Sequence, residues 1–240
     1  MSGAVQPAAL ILAAGRGERM RPLTDTTPKP LLPVQGKPLI EWHIEALARA
    51  GVRTIVINTA WLEEQFPVAL GDGRRWGVRI TYSHEGRDFG GALETAGGIV
   101  RALPLLGEVF WLVAGDIYMP ASVFSTEFAT QFVASSALAH LWLVPNPPHN
   151  PRGDFGLAPD GRALNTAAER FTYSTIGLYR AALFAPPLCG IPAGNPGGTK
   201  APLAPLLRAA MDNGRITASL ATGAWTDVGT PERLAQLNTA

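Results

Sequence analysis

The chain has 240 residues, 47% of them hydrophobic, which is enough to bury a sizeable core as one domain. Twenty basic against nineteen acidic side chains leave a formal charge of +1, so no long-range field recruits nucleic acid or an anionic membrane. The single Cys189 excludes an intrachain disulfide and a cysteine-based zinc site and fits a reducing compartment, with the cytoplasm as the expected location.

No apolar run approaches the ~18 residues of a membrane span, and residues 1–7 lack the basic and hydrophobic regions of a leader peptide. Residues 8–14 form an apolar run that predicts a buried strand, ending at Gly15 and Gly17. A helix is expected over 39–50, with Ile40, Ile44, Leu47 and Ala48 on one face and Gly51 as its stop. A strand over 52–58, a helix over 62–70 interrupted by Pro67, and an alternating strand over 78–83 follow. Next come a helix over 95–103 and strands over 109–114 and 137–144. Residues 145–151 hold four prolines, and 185–198 is again rich in Pro and Gly. Both exceed ordinary connections, which predicts binding loops or partial disorder. A strand over 173–179, a helix over 203–211 with Pro202 and Pro205 near its start, and a helix over 231–237 complete the pattern. This alternation argues for an α/β fold, a Rossmann-like, mainly parallel sheet flanked by helices on both faces. Ligands of such sheets bind outside the carboxyl ends of the strands.

The most informative stretch is residues 10–33, LILAAGRGERMRPLTDTTPKPLLP, with two glycines, four prolines and the cations Arg16, Arg19, Arg21 and Lys29. A strand breaking into a glycine turn frees backbone N–H groups for an anion, and nearby cations complete a phosphate site. The dinucleotide fingerprint does not fit, because Met20 stands at its third glycine and the second strand ends in Asn58 rather than an acid. The P-loop does not fit either, because Arg19-Met20-Arg21 replaces its Gly-Lys-Ser/Thr. Asp116 follows the apolar run 110–114 through Gly115, at the same sheet edge as the glycine loop, and Asp227 sits in Trp-Thr-Asp-Val-Gly-Thr. On spacing alone either aspartate serves equally as a turn residue or a helix cap.

Leu12 to Gly15, Gly17, Arg19, Met20, Pro22 to Thr24 and Pro28 to Leu31 together resemble the signature of the sugar-nucleotide pyrophosphorylases, L-A-A-G-x-G-x-R-M-x-P-L-T followed by P-K-P-L. These enzymes join a nucleoside triphosphate to a sugar 1-phosphate. The resemblance implies the nucleotide-diphospho-sugar transferase type of fold, in one domain over 1–240. Its nucleotide-binding half would span about 8–135 and its sugar-binding half about 136–240. It implies that Ala13, Ala14, Gly15 and Gly17 form the nucleotide loop, that Arg19 grips the triphosphate, and that Lys29 meets phosphate at the reacting centre. The family's Gly-Asp and Trp-x-Asp-x-Gly-Thr motifs occur in order, which implies Mg²⁺ held by Asp116 and Asp227. Carboxylates with phosphate oxygens suit that ion. Catalytic roles then fall to Arg19, Lys29 and Asp116.

Glu85 and the run Leu93-Glu94-Thr95-Ala96-Gly97-Gly98 match the family's nucleobase segment, with Glu94 where a glycine is usual. The Leu-Glu-Thr form resembles that of N-acetylmuramate 1-phosphate uridylyltransferases within the family, which implies base contacts from Glu85, Glu94, Thr95 and Gly98. A helix start capped by Thr95 remains compatible with this. Residues 87–91 exceed the family's spacing and form a candidate flap over the base. Sugar-binding candidates are Asn146, Gly153, Asp154, Glu169 and Ser174. Thr175 stands where a small glycine is usual, so its β-branched side chain is expected to narrow or block the sugar pocket. The lysine of the family's Glu-Lys-Pro motif is missing; Lys200 is the one later lysine. No histidine pairs with a serine, a cysteine or a metal-like spacing.

The resemblance therefore implies transfer of a uridylyl group from UTP to N-acetylmuramic acid 1-phosphate, releasing pyrophosphate, with a monomer or small homo-oligomer expected. The alternatives are a mannose 1-phosphate guanylyltransferase or glucose 1-phosphate uridylyltransferase, or a non-catalytic sugar-nucleotide sensor.

Overall fold

A computed structural model describes residues 6–121 and 123–239. Most of the stretch read for a leader, residues 1–5, thus lies outside the described residues. Strands β1 (Ala8–Leu12), β2 (Thr54–Thr59), β3 (Arg79–His84), β4 (Val109–Ala114), β5 (Ala139–Val144), β6 (Thr172–Arg180) and β7 (Ile216–Leu220) form one sheet in the order β7-β5-β6-β4-β1-β2-β3. All neighbours run parallel except β6, which is antiparallel to both β4 and β5. The expected mainly parallel sheet is borne out, with β6 as its one reversed strand.

Side chains alternate across a strand, so each strand feeds both faces. Ile11, Ile57, Trp111 and Val113 point into one cluster, while Leu10, Val56, Phe110 and Leu112 point into the other. Burial on both sides is why these strands appear as unbroken apolar runs rather than alternating ones. On the first face lie helices α1 (Leu39–Arg49), α2 (Gln65–Leu70) and α5 (Thr126–Ala134); α4 (Glu94–Ala102) and α6 (Ala204–Asp212) cover the second. Ile40, Ile44 and Leu47 of α1 are fully buried, as their spacing predicts. Helix α2 is shorter than expected and starts only at Gln65. Pro67 falls within its first turn, where a missing N–H costs no helical bond. A short helix, α3 (Glu85–Phe89), and the final α7 (Pro231–Thr239) complete the set.

The chain winds outward from β1 to β2 and β3, then returns to place β4 on the other side of β1. That reversal opens a crevice at the carboxyl ends of β1 and β4, the position where ligands of open α/β sheets bind. Gly115 N donates to Leu12 O at 2.8 Å and ties the two ends together.

Two histidines are absorbed by the core. His43 is buried with Nε2 facing Ile117 O at 2.8 Å, and His140 is buried with Nδ1 against Thr217 Oγ1 at 2.8 Å. Burial pushes the pKa of each down to about 4 from 6.5. Both bind fewer protons in the folded than in the unfolded chain, so the stability they leave intact above pH 6.5 is lost as pH falls toward 4. Each contributes ~1.4 kcal/mol per pH unit within that window. Urea denaturation at pH 7 and pH 5 is expected to show a drop of about 3 to 4 kcal/mol. Equal stabilities would mean that both rings accept protons in place.

Candidate active site

The glycine turn after β1 opens two adjoining hollows. One, of about 250 Å³, is lined by Ala13, Gly15, Gly17, Arg19, Lys29, Asp116 and Gly229 among others. The other, of about 660 Å³, is lined by Ala14, Gly15, Asn58, Glu85, Glu94, Thr95, Asp116, Asp154, Tyr173, Thr175 and Arg208 among others. Leu12, Gly15 and Asp116 belong to both, so the aspartate stands where the hollows meet.

The turn is built for close approach. A Cβ at Gly15 would meet nothing within 4 Å, so its backbone faces open space where a ligand can come near. Gly17 has φ +69°, and a Cβ there would meet Thr24 Cγ2 at 3.0 Å and Lys29 Cβ at 3.3 Å. The four cations of this stretch divide their work. Arg16 donates to Thr24 O and Asp25 and lies 3.6 Å over the Trp61 ring, and Arg21 also binds Asp25. The Arg16 guanidinium, with help from Arg21, holds the Asp25 carboxyl below its ordinary pKa. Arg19 has no protein partner among the described residues and lines the smaller hollow. Lys29 is buried, with Nζ 2.7 Å from Asp116 Oδ2.

Asp227 approaches from a two-residue ladder in which Thr226–Asp227 pairs antiparallel with Ile117–Tyr118. Val228 N donates to Asp116 O at 2.8 Å, which extends this pairing to the turn that carries Asp116. The Asp227 carboxylate is held by Arg233 and by His149 Nε2 at 2.7 Å. Asp116 lines both hollows, whereas Asp227 lines neither and reaches this edge only through its neighbour Gly229 on the wall of the smaller one. Mg²⁺ takes few protein ligands and completes its shell with phosphate and water oxygens. No group of three or more His, Cys, Asp or Glu that could hold a metal occurs among the described residues.

The segment expected to meet the base, residues 93–98, is tied to the glycine turn by a buried relay. Ala13 N donates to Asn58 Oδ1 at 2.8 Å, Asn58 Nδ2 to Glu85 Oε1 at 2.7 Å, and Leu93 N to Glu85 Oε2 at 2.8 Å. Burial raises the Glu85 pKa, opposed by the donors Leu93 N–H and Asn58. Gly98 makes room for this relay instead of lining the hollow, since a Cβ there would sit 2.5 Å from Glu85 Oε1. Residues 87–91 are not a loose flap. Arg87–Phe89 are the end of α3 and Gly90–Gly91 a bend after it, with Arg87 N donating to Glu63, Asp88 paired with Arg101 at 2.7 Å, and Arg101 lying over the Phe89 ring.

Glu94 and Thr175, the two residues standing where glycine is usual, have φ +59° and +64°. The left-handed backbone explains the usual glycine, and for a β-branched residue such a φ is a true outlier. Thr175 Oγ1 donates to Ser174 O. Thr175 lines the larger hollow.

Of the sugar candidates, Asp154 reaches the hollow, its carboxylate accepting from Tyr173 N at 2.8 Å. The others belong to the scaffold. Asn146 Nδ2 donates to Arg170 O and its Oδ1 accepts from Thr172, and Ser174 is buried with its hydroxyl on Trp142 O. Gly153, at φ +59°, lets the loop pass Asn146 and Arg170, while Glu169 and Lys200 are exposed and outside the lining. The 185–198 stretch packs through buried Asn195, which donates to Gly97 O and Thr199 O beneath α4. Sequence reasoning missed Arg208, Tyr173 and the relay role of Asn58. Only Asn58 left a signal, as a polar residue closing an otherwise apolar strand.

The glycine turn, the Lys29–Asp116 pair and the Thr226–Asp227 ladder thus gather at the carboxyl edge of a mainly parallel sheet, where such folds bind ligands. The nucleotidyl transferase family model matches residues 8–172, and the chain belongs to that family. The resemblance seen in residues 12–31 is thereby borne out. Within the family, the chain is 52% identical over 234 residues to the N-acetylmuramate alpha-1-phosphate uridylyltransferase of Neisseria meningitidis, covering 94% of each. It is 31% identical to the protein of that name from Caulobacter vibrioides, over 93% of this chain and 92% of the other. A crystal structure titled as a glucose-1-phosphate thymidylyltransferase from Bacillus anthracis superposes with a TM-score of 0.79 at 22% identity. It covers 98% of this chain and 94% of that one, and shows the same fold.

Proposed function

We propose that the protein forms UDP-N-acetylmuramic acid and pyrophosphate from UTP and N-acetylmuramic acid 1-phosphate. The observation that carries this reading is the 52% identity to a uridylyltransferase of that name along 94% of both chains. The Leu93-Glu94-Thr95 base segment supports it. In this reading residues 8–135 serve the nucleotide and 136–240 the sugar, within a cytoplasmic monomer or small homo-oligomer acting in cell-wall recycling.

The triphosphate lies against the Gly15–Gly17 backbone N–H groups, with Arg19 and Lys29 neutralising charge that shifts toward the leaving pyrophosphate. A phosphate oxygen of the sugar attacks the α-phosphorus in line; it is already ionised, so no general base is required. Asp116 and Asp227 are the residues that would hold Mg²⁺, which supplies electrostatic stabilisation of the phosphate oxygens when bound. The relay through Asn58 and Glu85 fixes the base segment relative to the phosphate loop.

The test is pyrophosphate release with Mg²⁺ across a panel of nucleoside triphosphates and sugar 1-phosphates. UTP with N-acetylmuramic acid 1-phosphate is expected to give the highest kcat/KM. A different best pair would refute the substrate assignment, and no turnover with any pair would refute catalysis.

A further inference from the structure

We infer that Arg208 selects the sugar substrate by binding the lactyl carboxylate that distinguishes N-acetylmuramic acid from N-acetylglucosamine. This rests on the substrate reading above and adds to it the residue that enforces it.

The charged residues lining the larger hollow are Glu85, Glu94, Asp116, Asp154 and Arg208. Arg208 is the one cation among them, so a substrate carboxylate entering there has this arginine as its only charged partner in the lining. Arg208 is absent from the smaller hollow, which has Arg19 and Lys29 for the phosphates. Its charge therefore answers a different anion.

The side chain is also held in place for such a task. It projects from α6, half-buried, with Nη1 donating to Asn165 Oδ1 at 2.6 Å. Asn165 Nδ2 is itself fixed by both carboxylate oxygens of Asp212, at 3.1 and 3.2 Å. The guanidinium carbon lies 5.2 Å from the centre of the Phe155 ring, on the wall of the hollow. Nε and Nη2 have no protein partner among the described residues, and this pair of nitrogens forms the edge that grips a carboxylate through two parallel bonds. A lysine in this place would offer a point charge and no fork.

The experiment compares three acceptors with UTP: N-acetylmuramic acid 1-phosphate, its isosteric lactyl amide, and N-acetylglucosamine 1-phosphate. The wild-type enzyme is expected to favour the acid over the amide by about 100-fold in kcat/KM, the scale of a charge-assisted hydrogen bond lost while an acceptor remains. Arg208→Gln is expected to bring that ratio close to one, through KM for the sugar, and Arg208→Lys to leave an intermediate ratio. A wild-type acid-to-amide ratio in Arg208→Gln, or an equal loss with all three acceptors, overturns the assignment. Should Arg208→Gln not fold, the Arg208→Lys ratio decides, and a wild-type value there overturns it. A wild-type enzyme that does not prefer the acid to N-acetylglucosamine 1-phosphate refutes the substrate reading itself.

Discussion

Asp116→Asn is expected to lower kcat by about 10³-fold or more while leaving the fold intact. The carboxylate stands where the two hollows meet, between the phosphate loop and the cavity assigned to base and sugar. It also receives the Lys29 ammonium at 2.7 Å. The amide keeps an acceptor for that buried lysine but loses the charge that pairs with a divalent cation. Asp116→Ala differs, because it leaves the ammonium of Lys29, whose side chain is 9% exposed, with neither an anion nor a hydrogen-bond acceptor from this residue, and a buried charge stripped of its partner destabilises. The alanine variant should therefore lose turnover and much stability, the asparagine variant turnover with a smaller loss of stability. Asp227→Asn should follow Asp116→Asn, since Arg233 and His149 keep an oxygen to contact. Pyrophosphate release at saturating Mg²⁺, set beside urea denaturation, separates the cases. Near-normal turnover in Asp116→Asn would remove this residue from the reaction.

What could be read beforehand follows from how each element is buried. Strands β1 and β4 are covered on both faces, and residues 8–14 and 109–114 show it as continuous apolar runs. Strand β7 lies at the sheet edge, and its alternation of Ile216 and Ala218 with Thr217 and Ser219 is too weak in bulk to stand out from its small-residue surroundings. Helix α5 escaped because Phe128, Thr130, Phe132 and Val133 favour strands, and tertiary packing of Ala129 and Phe132 overrode that preference. Its start is marked instead by Ser125, whose hydroxyl accepts from Phe128 N. In the site, Asp116 was legible because a carboxylate just past a buried strand must emerge at the sheet's carboxyl edge. Arg208 was not, since a helical arginine is usually a surface residue and only the packing of α6 beside β7 turns this one inward.

Exchanging the two partners of the buried relay, Asn58→Asp together with Glu85→Gln, is expected to restore what each change alone destroys. In the native chain Asn58 accepts from Ala13 N and donates to Glu85, which accepts a second bond from Leu93 N. Asn58→Asp alone sets two carboxylates 2.7 Å apart with neither exposed to water by more than 3%. Glu85→Gln alone presents an N–H₂ group either to the Asn58 amide donor or to Leu93 N. Each single change leaves buried polar groups unpaired or in conflict, at a cost of about 2 to 4 kcal/mol. In the double variant the new carboxylate accepts from Ala13 N and from the new amide, whose oxygen accepts from Leu93 N. Every donor then has its acceptor again. Because the relay joins the phosphate loop to the base segment, KM for UTP should rise in both single variants and recover in the double one, in step with Tm. Additive losses in the double variant would show that these contacts do not act as one unit. Recovery of Tm without recovery of KM would confine the relay to the fold and separate it from nucleotide binding.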